Sequence, residues 1–131
     1  MIFGSGAARE RAFLATGAIL GFLAVAAGAF GAHALREVLP ADRLAVFETG
    51  ARYQMFHALA LIGVAFVAGK RRGQAAPLAG WLFLLGTILF SGSLYALALT
   101  GVRAWGAVTP LGGVAWLAGW AALALAALRS D

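Results

Sequence analysis

The chain has 131 residues, of which 63% are hydrophobic and only 11% are charged. A soluble domain is typically about half apolar and about a quarter charged, so this composition excludes a water-soluble globule. The absence of cysteine excludes disulfides, thiolate metal sites and cysteine nucleophiles, and the length allows one compact domain, residues 1–131.

Four uncharged apolar blocks are long enough to cross a bilayer, which takes about 17–25 mainly apolar residues. They cover approximately residues 13–34, 53–69, 77–100 and 110–128. The first block ends in a sequence, AHA, that mimics a signal-peptide cleavage site. Because the block is longer than a signal core, we expect it to remain a span. We therefore predict an all-α integral membrane protein, a four-helix transmembrane bundle.

A polar segment separates the first two spans. Pro40 indicates the start of a new helix, and Leu44 and Phe47 then recur at helical spacing, with the charged residues mostly off that stripe. One interpretation is a short amphipathic helix, approximately residues 41–51, that lies at the membrane interface and bends into the second span near Gly50. The alternative is one continuous tilted helix. The pattern favours neither.

Basic residues predict the orientation of the spans, because loops with more Lys and Arg face the cytoplasm. Of the ten, six lie on one side of a four-span bundle: Arg9, Arg11, Lys70, Arg71, Arg72 and Arg129. Arg36, Arg43, Arg52 and Arg103 lie on the other side. We therefore predict that both termini are cytoplasmic. At the ends of spans, positive charge meets anionic lipid and gives no indication of a nucleic-acid partner.

Glycine is abundant, with 18 residues, and it indicates close helix packing. In lipid there is little hydrophobic drive for helices to associate, and small residues allow their backbones to approach. Gly17 and Gly21 form a GxxxG pair, and Gly28 lies a heptad beyond. Gly112 and Gly119 are a heptad apart in the fourth span. We expect tight contacts at these five glycines, either within one chain or between subunits.

Polar residues inside a bilayer are costly and are functional candidates by default. Counted by depth, most of them fall in the outer half of the predicted bundle. The candidate ligand-binding residues are His33, Arg52, His57, Ser91, Ser93, Tyr95 and Thr109. The structural alternative is that these groups only tie helices together, with Thr109 capping the fourth span ahead of Pro110. Trp116 and Trp120 are interpreted as packing or lipid-facing, with ligand stacking as the alternative.

The same inventory gives no support for catalysis or for a cofactor. The spans hold no Asp or Glu, and no Ser, His and Asp set has a plausible nucleophile setting. Two histidines without a third ligand are weak evidence for zinc, and His33 with His57 is a bare minimum for haem. We predict no catalytic residue, no metal and no cofactor.

Several motifs resemble those of the membrane family catalogued as domain of unknown function 423. They are residues 28–35 (GAFGAHAL), 53–61 (YQMFHALAL), 90–95 (FSGSLY), 109–113 (TPLGG) and 119–120 (GW). The motifs occur in the family's order and cover nearly the whole chain. The resemblance implies a small bacterial inner-membrane protein with mitochondrial relatives in animals, and it implies no activity.

These observations favour a non-enzymatic membrane protein that binds lipid, an apolar ligand or a partner membrane protein through the outer polar cluster. One alternative is a structural subunit or assembly factor of a larger membrane complex. Another is a subunit of an oligomeric small-solute transporter or channel, since four short spans enclose little volume. A homo-oligomer is compatible with each.

Overall fold

The computed structural model describes residues 5–129, a range that is almost wholly helical and contains no strand. The first four and last two residues of the predicted domain, 1–4 and 130–131, lie outside the described range. The long helices are α1 (Gly6–His33), α2 (Ala41–Lys70), α3 (Ala75–Thr100) and α4 (Thr109–Leu128). A 3-10 helix follows α1 at Leu35–Glu37, and another precedes α4 at Arg103–Ala107. In this described part, four helices are long and apolar enough to cross a membrane, which confirms the four-span prediction.

Residues 41–51, predicted as an interfacial helix, are the first part of the uninterrupted α2. The structure therefore has the continuous alternative. The reason lies in packing that continues past the expected bend. Gly50 is buried, and a Cβ there would lie 3.0 Å from the ring of Tyr95 on α3. The ring of Phe47 lies 4.9 Å from the same Tyr95 ring, centroid to centroid. The first turns of α2 are thus packed into the bundle.

The two middle helices form the centre of the bundle. α1 packs on α2, α2 on α3, and α3 on α4. Half of the most apolar 18-residue stretch of α2 is buried, against 17% for α1. We call the end with residues 34–40 and 101–108 the connector end. The opposite end, with the start of α1, residues 71–74 and the end of α4, is the hairpin end.

The largest cluster of buried apolar side chains lies between all four helices and includes Phe13, Leu61, Val64, Phe83 and Trp116. Smaller clusters lie toward the connector end, around Leu35, Phe47 and Ala98, and toward the hairpin end, around Ala68, Ala76 and Ala126. Lipid chains are as apolar as these side chains, so dispersion and close fit, rather than transfer from water, hold the helices together.

Three of the predicted packing glycines lie at close helix contacts. A Cβ on Gly17 would lie 2.8 Å from the carbonyl oxygen of Ala58. One on Gly112 would collide with the backbone nitrogen of Phe90, and one on Gly119 would lie 2.8 Å from the ring of Phe83. At each position a side chain would force two helices apart.

The other two predicted positions differ. Gly21 makes an ordinary contact, 3.8 Å from its ideal Cβ to the Cβ of Ala58, and Gly28 has no atom within 4 Å of that position. The expected tight contact at Gly28 is missing because the residue borders an open groove between α1 and α2. The prediction also omitted Gly80 and Gly86, where a Cβ would overlap the rings of Phe13 and Trp116 respectively.

The end of α3 is fastened to the start of α2. Gly101 follows the last helical residue with a φ of +73°, a left-handed conformation that glycine adopts without steric cost. Because no side chain stands there, the guanidinium of Arg43 packs against it and donates from Nε to the carbonyl oxygen of Ala98 at 2.8 Å. A cation at this position also offsets the negative end of the α3 dipole.

Candidate functional site

The buried face of α2 carries the polar side chains of the bundle's centre. Gly50, Gln54, His57 and Leu61 are all buried and follow each other at intervals of three or four residues, the spacing of one helix face. Polar groups buried in a membrane must find partners inside the protein. The partners of these side chains define the candidate site.

Both ring nitrogens of His57 are hydrogen bonded. Nδ1 lies 2.8 Å from the carbonyl oxygen of Tyr53, one turn earlier in α2, and Nε2 accepts from the indole Nε1 of Trp120 at 3.1 Å. An accepting Nε2 places the proton of a neutral imidazole on Nδ1, which donates to Tyr53. Neither nitrogen is then available to a metal or a haem iron. Among residues 5–129, no group of three or more His, Cys, Asp or Glu is placed to hold a metal ion.

The imidazole of His57 is stacked on Trp116, with ring centroids 3.7 Å apart and planes 2° from parallel. The ring of Phe90 lies 4.4 Å from Trp116, and Tyr53 lies 5.9 Å from it at 15°. The indole Nε1 of Trp116 donates to the carbonyl oxygen of Phe83 at 3.2 Å. The indole sits this deep because Gly86 leaves room for it. The result is a stack of aromatic rings between α2, α3 and α4.

This stack forms the floor of a groove between α2 and α4, which we call the aromatic groove. Its cavity is about 560 Å³, within the range of small-molecule sites. It is lined by Thr49, Tyr53, His57, Phe90, Pro110, Gly113, Val114, Trp116, Leu117 and Trp120. Val114 and Leu117 are exposed on its rim, whereas His57 and Trp116 are each only 5% exposed. The groove therefore has an apolar, aromatic interior that is open on one side.

Tyr95 belongs to a second hydrogen-bonded group. Its hydroxyl donates to Oε1 of Gln54 at 2.7 Å, and Nε2 of the same glutamine donates to the carbonyl oxygen of Leu20 at 2.8 Å. Gln54 thus joins α1, α2 and α3. Its role is to tie helices together, as the structural alternative expects.

The predicted serines and threonine form further ties. Oγ of Ser91 donates to the carbonyl oxygen of Gly50 at 2.7 Å. Oγ of Ser93 lies 2.9 Å from the carbonyl oxygen of Phe90 and 2.5 Å from the hydroxyl of Thr109. Thr109 begins α4 as predicted, but its side chain does not cap the helix. The expected cap is missing because Ser93 on α3 takes the hydroxyl as its partner.

The last two predicted residues lie apart from these groups. His33 ends α1 with an exposed side chain. Arg52 is also exposed and borders the groove between α1 and α2, beside Glu48 and Gly28. The predicted cluster is therefore several separate groups, of which only His57 faces the aromatic groove.

Three residues central to this geometry were not among the predicted site residues. Gln54 precedes His57 by three residues in an apolar stretch, and this isolated amide was the signal that could have identified it. Trp116 and Trp120 are four residues apart and share a helix face. Trp116 is buried and Trp120 is 46% exposed, so the former packs inside the bundle and the latter stands at the groove's edge.

Comparisons with known proteins agree with the resemblance. The family model "Protein of unknown function (DUF423)" matches residues 27–113. The chain is 48% identical to the UPF0382 membrane protein YwdK of Bacillus subtilis (strain 168), over 91% of this chain and 98% of the relative. It is 50% identical to the UPF0382 inner membrane protein YgdD of Escherichia coli (strain K12), over 92% of each. No solved structure matches it. The chain thus belongs to the DUF423 family of membrane proteins.

Proposed function

We propose that this is a non-enzymatic membrane protein that binds the acyl chain of a bilayer lipid in the aromatic groove. The observation that carries the proposal is the cavity itself, about 560 Å³ with the stacked rings of His57 and Trp116 as its floor. An exposed, apolar concavity of this kind on a membrane-spanning helix pair adjoins lipid chains. The location we infer is the bacterial inner membrane, in which the E. coli relative is named.

The chemistry of the groove favours binding over catalysis. Its one titratable imidazole has both nitrogens engaged, by Tyr53 and by Trp120. General base and nucleophilic roles need a nitrogen free to reach the substrate. The lining of the groove also contains no Asp or Glu to act as a second group. What remains is a surface of rings and aliphatic side chains, which binds through dispersion and shape.

The dimensions of the groove suit a lipid chain. Its lining runs along α4 from Pro110 to Trp120, a rise of ten residue steps, or about 15 Å at 1.5 Å per step. Most of an extended acyl chain fits along such a length, with the head group toward the connector end. Gly113 lies in the wall and has no atom within 4 Å of its ideal Cβ, so the groove is open at this point.

The test uses a substitution whose side chain fills the groove without disturbing the packing of the bundle. Gly113→Phe places a ring in open space inside the groove, and Gly92→Phe places the same ring at an exposed position on α3 that also has no neighbour within 4 Å. Native mass spectrometry in mild detergent, with added phosphatidylethanolamine, counts the bound lipids. We expect Gly113→Phe to lose one bound lipid that the wild type and Gly92→Phe retain.

Two results would overturn the proposal. The first is an equal number of bound lipids in all three proteins. The second is a spectrum in which the groove-filling variant loses a second polypeptide chain rather than a lipid. That result would assign the groove to a partner helix and favour the structural-subunit alternative.

A further inference from the structure

A second cavity, of about 360 Å³, lies at the hairpin end of the bundle, between the first turn of α1 and residues 68–73. Its wall contains Arg9 from α1 and Lys70, Arg71 and Arg72 from the end of α2. We call it the basic cavity. Four cations around one concavity produce a strong positive potential, which favours an anionic ligand.

Arg9, which lines this cavity, has one nitrogen without a hydrogen-bond partner in the described part of the chain. Its Nε is buried, and no acceptor in the described residues 5–129 lies within hydrogen-bonding reach. A buried donor of a charged group is costly when it has no partner. Arg71, in contrast, is already engaged, since Nη1 donates to the carbonyl oxygen of Arg129 at 3.0 Å. The Nζ of Lys70 lies 4.6 Å from the ring centroid of Phe66, at the edge of the apolar surface of α2.

An apolar groove of about 330 Å³ begins at the same arginine. It runs between α1 and α3, and Arg9 borders both it and the basic cavity. Phe13, Leu61, Trp81 and Leu84 line it, so each of the first three helices contributes. The arrangement matches the two parts of a lipid. The cationic cavity suits a phosphate-containing head group, and the apolar groove that adjoins it suits an acyl chain.

We propose that the basic cavity and the adjoining groove together bind one anionic glycerophospholipid. The phosphate accepts hydrogen bonds from Arg9, with Lys70 and Arg72 beside it, and one acyl chain lies along the groove between α1 and α3. This site is independent of the proposed function, because it lies at the opposite end of the bundle and shares no lining residue with the aromatic groove.

The charges around the cavity select for a lipid with net negative charge. The carboxylate of Glu10 packs over Gly69 and is the acidic group that the structure places beside the cavity. It offsets part, but not all, of the four positive charges. A choline or ethanolamine head group would bring its own cation toward the same side chains. Phosphatidylglycerol, whose glycerol head group is uncharged, would not.

The test is a titration of the full-length protein with phosphatidylglycerol and, separately, phosphatidylcholine, followed by native mass spectrometry. The wild type should bind phosphatidylglycerol more tightly. Arg9→Gln should weaken that binding about fivefold, the effect of one cation near an anionic lipid, and so narrow the difference in affinity between phosphatidylglycerol and phosphatidylcholine. Arg103→Gln, which removes the same charge at the connector end, is the matched control and should match the wild type.

A second variant fills the apolar groove and leaves every charged residue unchanged. Ala12 is exposed and lines the groove, so Ala12→Phe fills it without entering the core. We expect this variant to lose phosphatidylglycerol affinity as well. If Ala12→Phe binds it normally, or if inorganic phosphate alone raises the melting temperature as much as the lipid does, the ligand is a free anion and the lipid site is refuted. Equal effects of Arg9→Gln and Arg103→Gln would refute it too. Gly113→Phe should leave this binding intact, which separates the two sites.

Discussion

Trp120 donates a hydrogen bond from its indole nitrogen to Nε2 of His57, 3.1 Å away, and so joins α4 to α2. The two helices also meet where the imidazole of His57 stacks on the indole of Trp116, with ring centroids 3.7 Å apart. The bond also fixes the tautomer of the imidazole, whose remaining proton is committed to Tyr53. The hydrogen bond and the ring stack together join α2 to α4 at the floor of the aromatic groove.

Removal of that donor should destabilise the protein. Trp120→Phe keeps an aromatic ring but leaves Nε2 of His57 without a partner, at a cost of about 1–3 kcal/mol. We expect a lower melting temperature in detergent, followed by circular dichroism. Trp105→Phe, at an exposed connector position, is the control and should change little. An unchanged melting temperature for both variants would show that the bond does not contribute to stability.

Substitutions of His57 should follow a definite order. His57→Phe keeps the stack on Trp116 and loses two hydrogen bonds. His57→Ala loses the stack as well and leaves a cavity, for which truncation of a buried aromatic typically costs about 3–5 kcal/mol. Equilibrium unfolding should therefore rank the wild type above the Phe variant and the Phe variant above the Ala variant. The reverse order of the two variants would contradict the stacking argument.

Two glycines on the predicted packing faces should respond in opposite directions to one methyl group. Gly112→Ala would push its Cβ into the backbone of Phe90, and overpacking of this kind costs about 1–3 kcal/mol. Gly28→Ala meets nothing within 4 Å and gains helix propensity, so its stability should rise by up to about 1 kcal/mol. Thermal unfolding of the pair measures the difference directly. If Gly28→Ala lost as much stability as Gly112→Ala, another helix would have to pack against α1 at Gly28.

The tie through Gln54 predicts a contrast between the two tyrosines. Tyr95→Phe removes the hydroxyl that donates to Gln54, and should cost about 1 kcal/mol or somewhat more because the amide oxygen is left buried. Tyr53→Phe changes only a hydroxyl on a residue that is 38% exposed, and its stability should match the wild type. Urea-induced unfolding in detergent would compare them. Equal stability of the two variants would show that the hydrogen bond between Tyr95 and Gln54 does not stabilise the bundle.

The orientation of the bundle remains a prediction from charge. Reporter fusions within residues 71–73 and at the C-terminus should give cytoplasmic signals, because the hairpin end carries the larger share of Lys and Arg. A fusion within residues 101–108 should report the opposite side. A cytoplasmic signal from this last fusion would overturn the predicted orientation.

Hydropathy was sufficient to predict the four spans, because the requirement for about 20 apolar residues leaves few alternatives in a chain of this length. It could not decide whether residues 41–51 bend away from α2. The spacing of Leu44 and Phe47 is the same in a separate helix and in a continuous one. The decision came from the contact of Gly50 with Tyr95, residues 45 apart in the sequence.

The hydrogen-bond partners of the polar side chains could not be predicted from the sequence either. Depth could be counted from each span end, and it placed His57, Ser93 and Tyr95 in one half of the bundle. The partner of each side chain depends on the rotation of the helices, which depth does not determine. Thr109 illustrates the result. Its local context predicts a helix cap, but a serine on the neighbouring helix competes successfully for the hydroxyl.

Among the described residues, Gln54, His57, Ser91, Ser93 and Tyr95 make hydrogen bonds in the interior of the bundle without a formal charge, whereas Arg43, which donates to the carbonyl oxygen of Ala98, lies at the connector end. Residues 12–33, 53–69, 75–100 and 109–128 contain no Asp, Glu, Lys or Arg, and the imidazole of His57 is held in its neutral tautomer. A membrane potential does work only on charge, about 2.3 kcal/mol per elementary charge for each 100 mV. Within these four ranges the electric field therefore acts on no formally charged side chain, and the charges on which it can do work lie at the ends of the bundle.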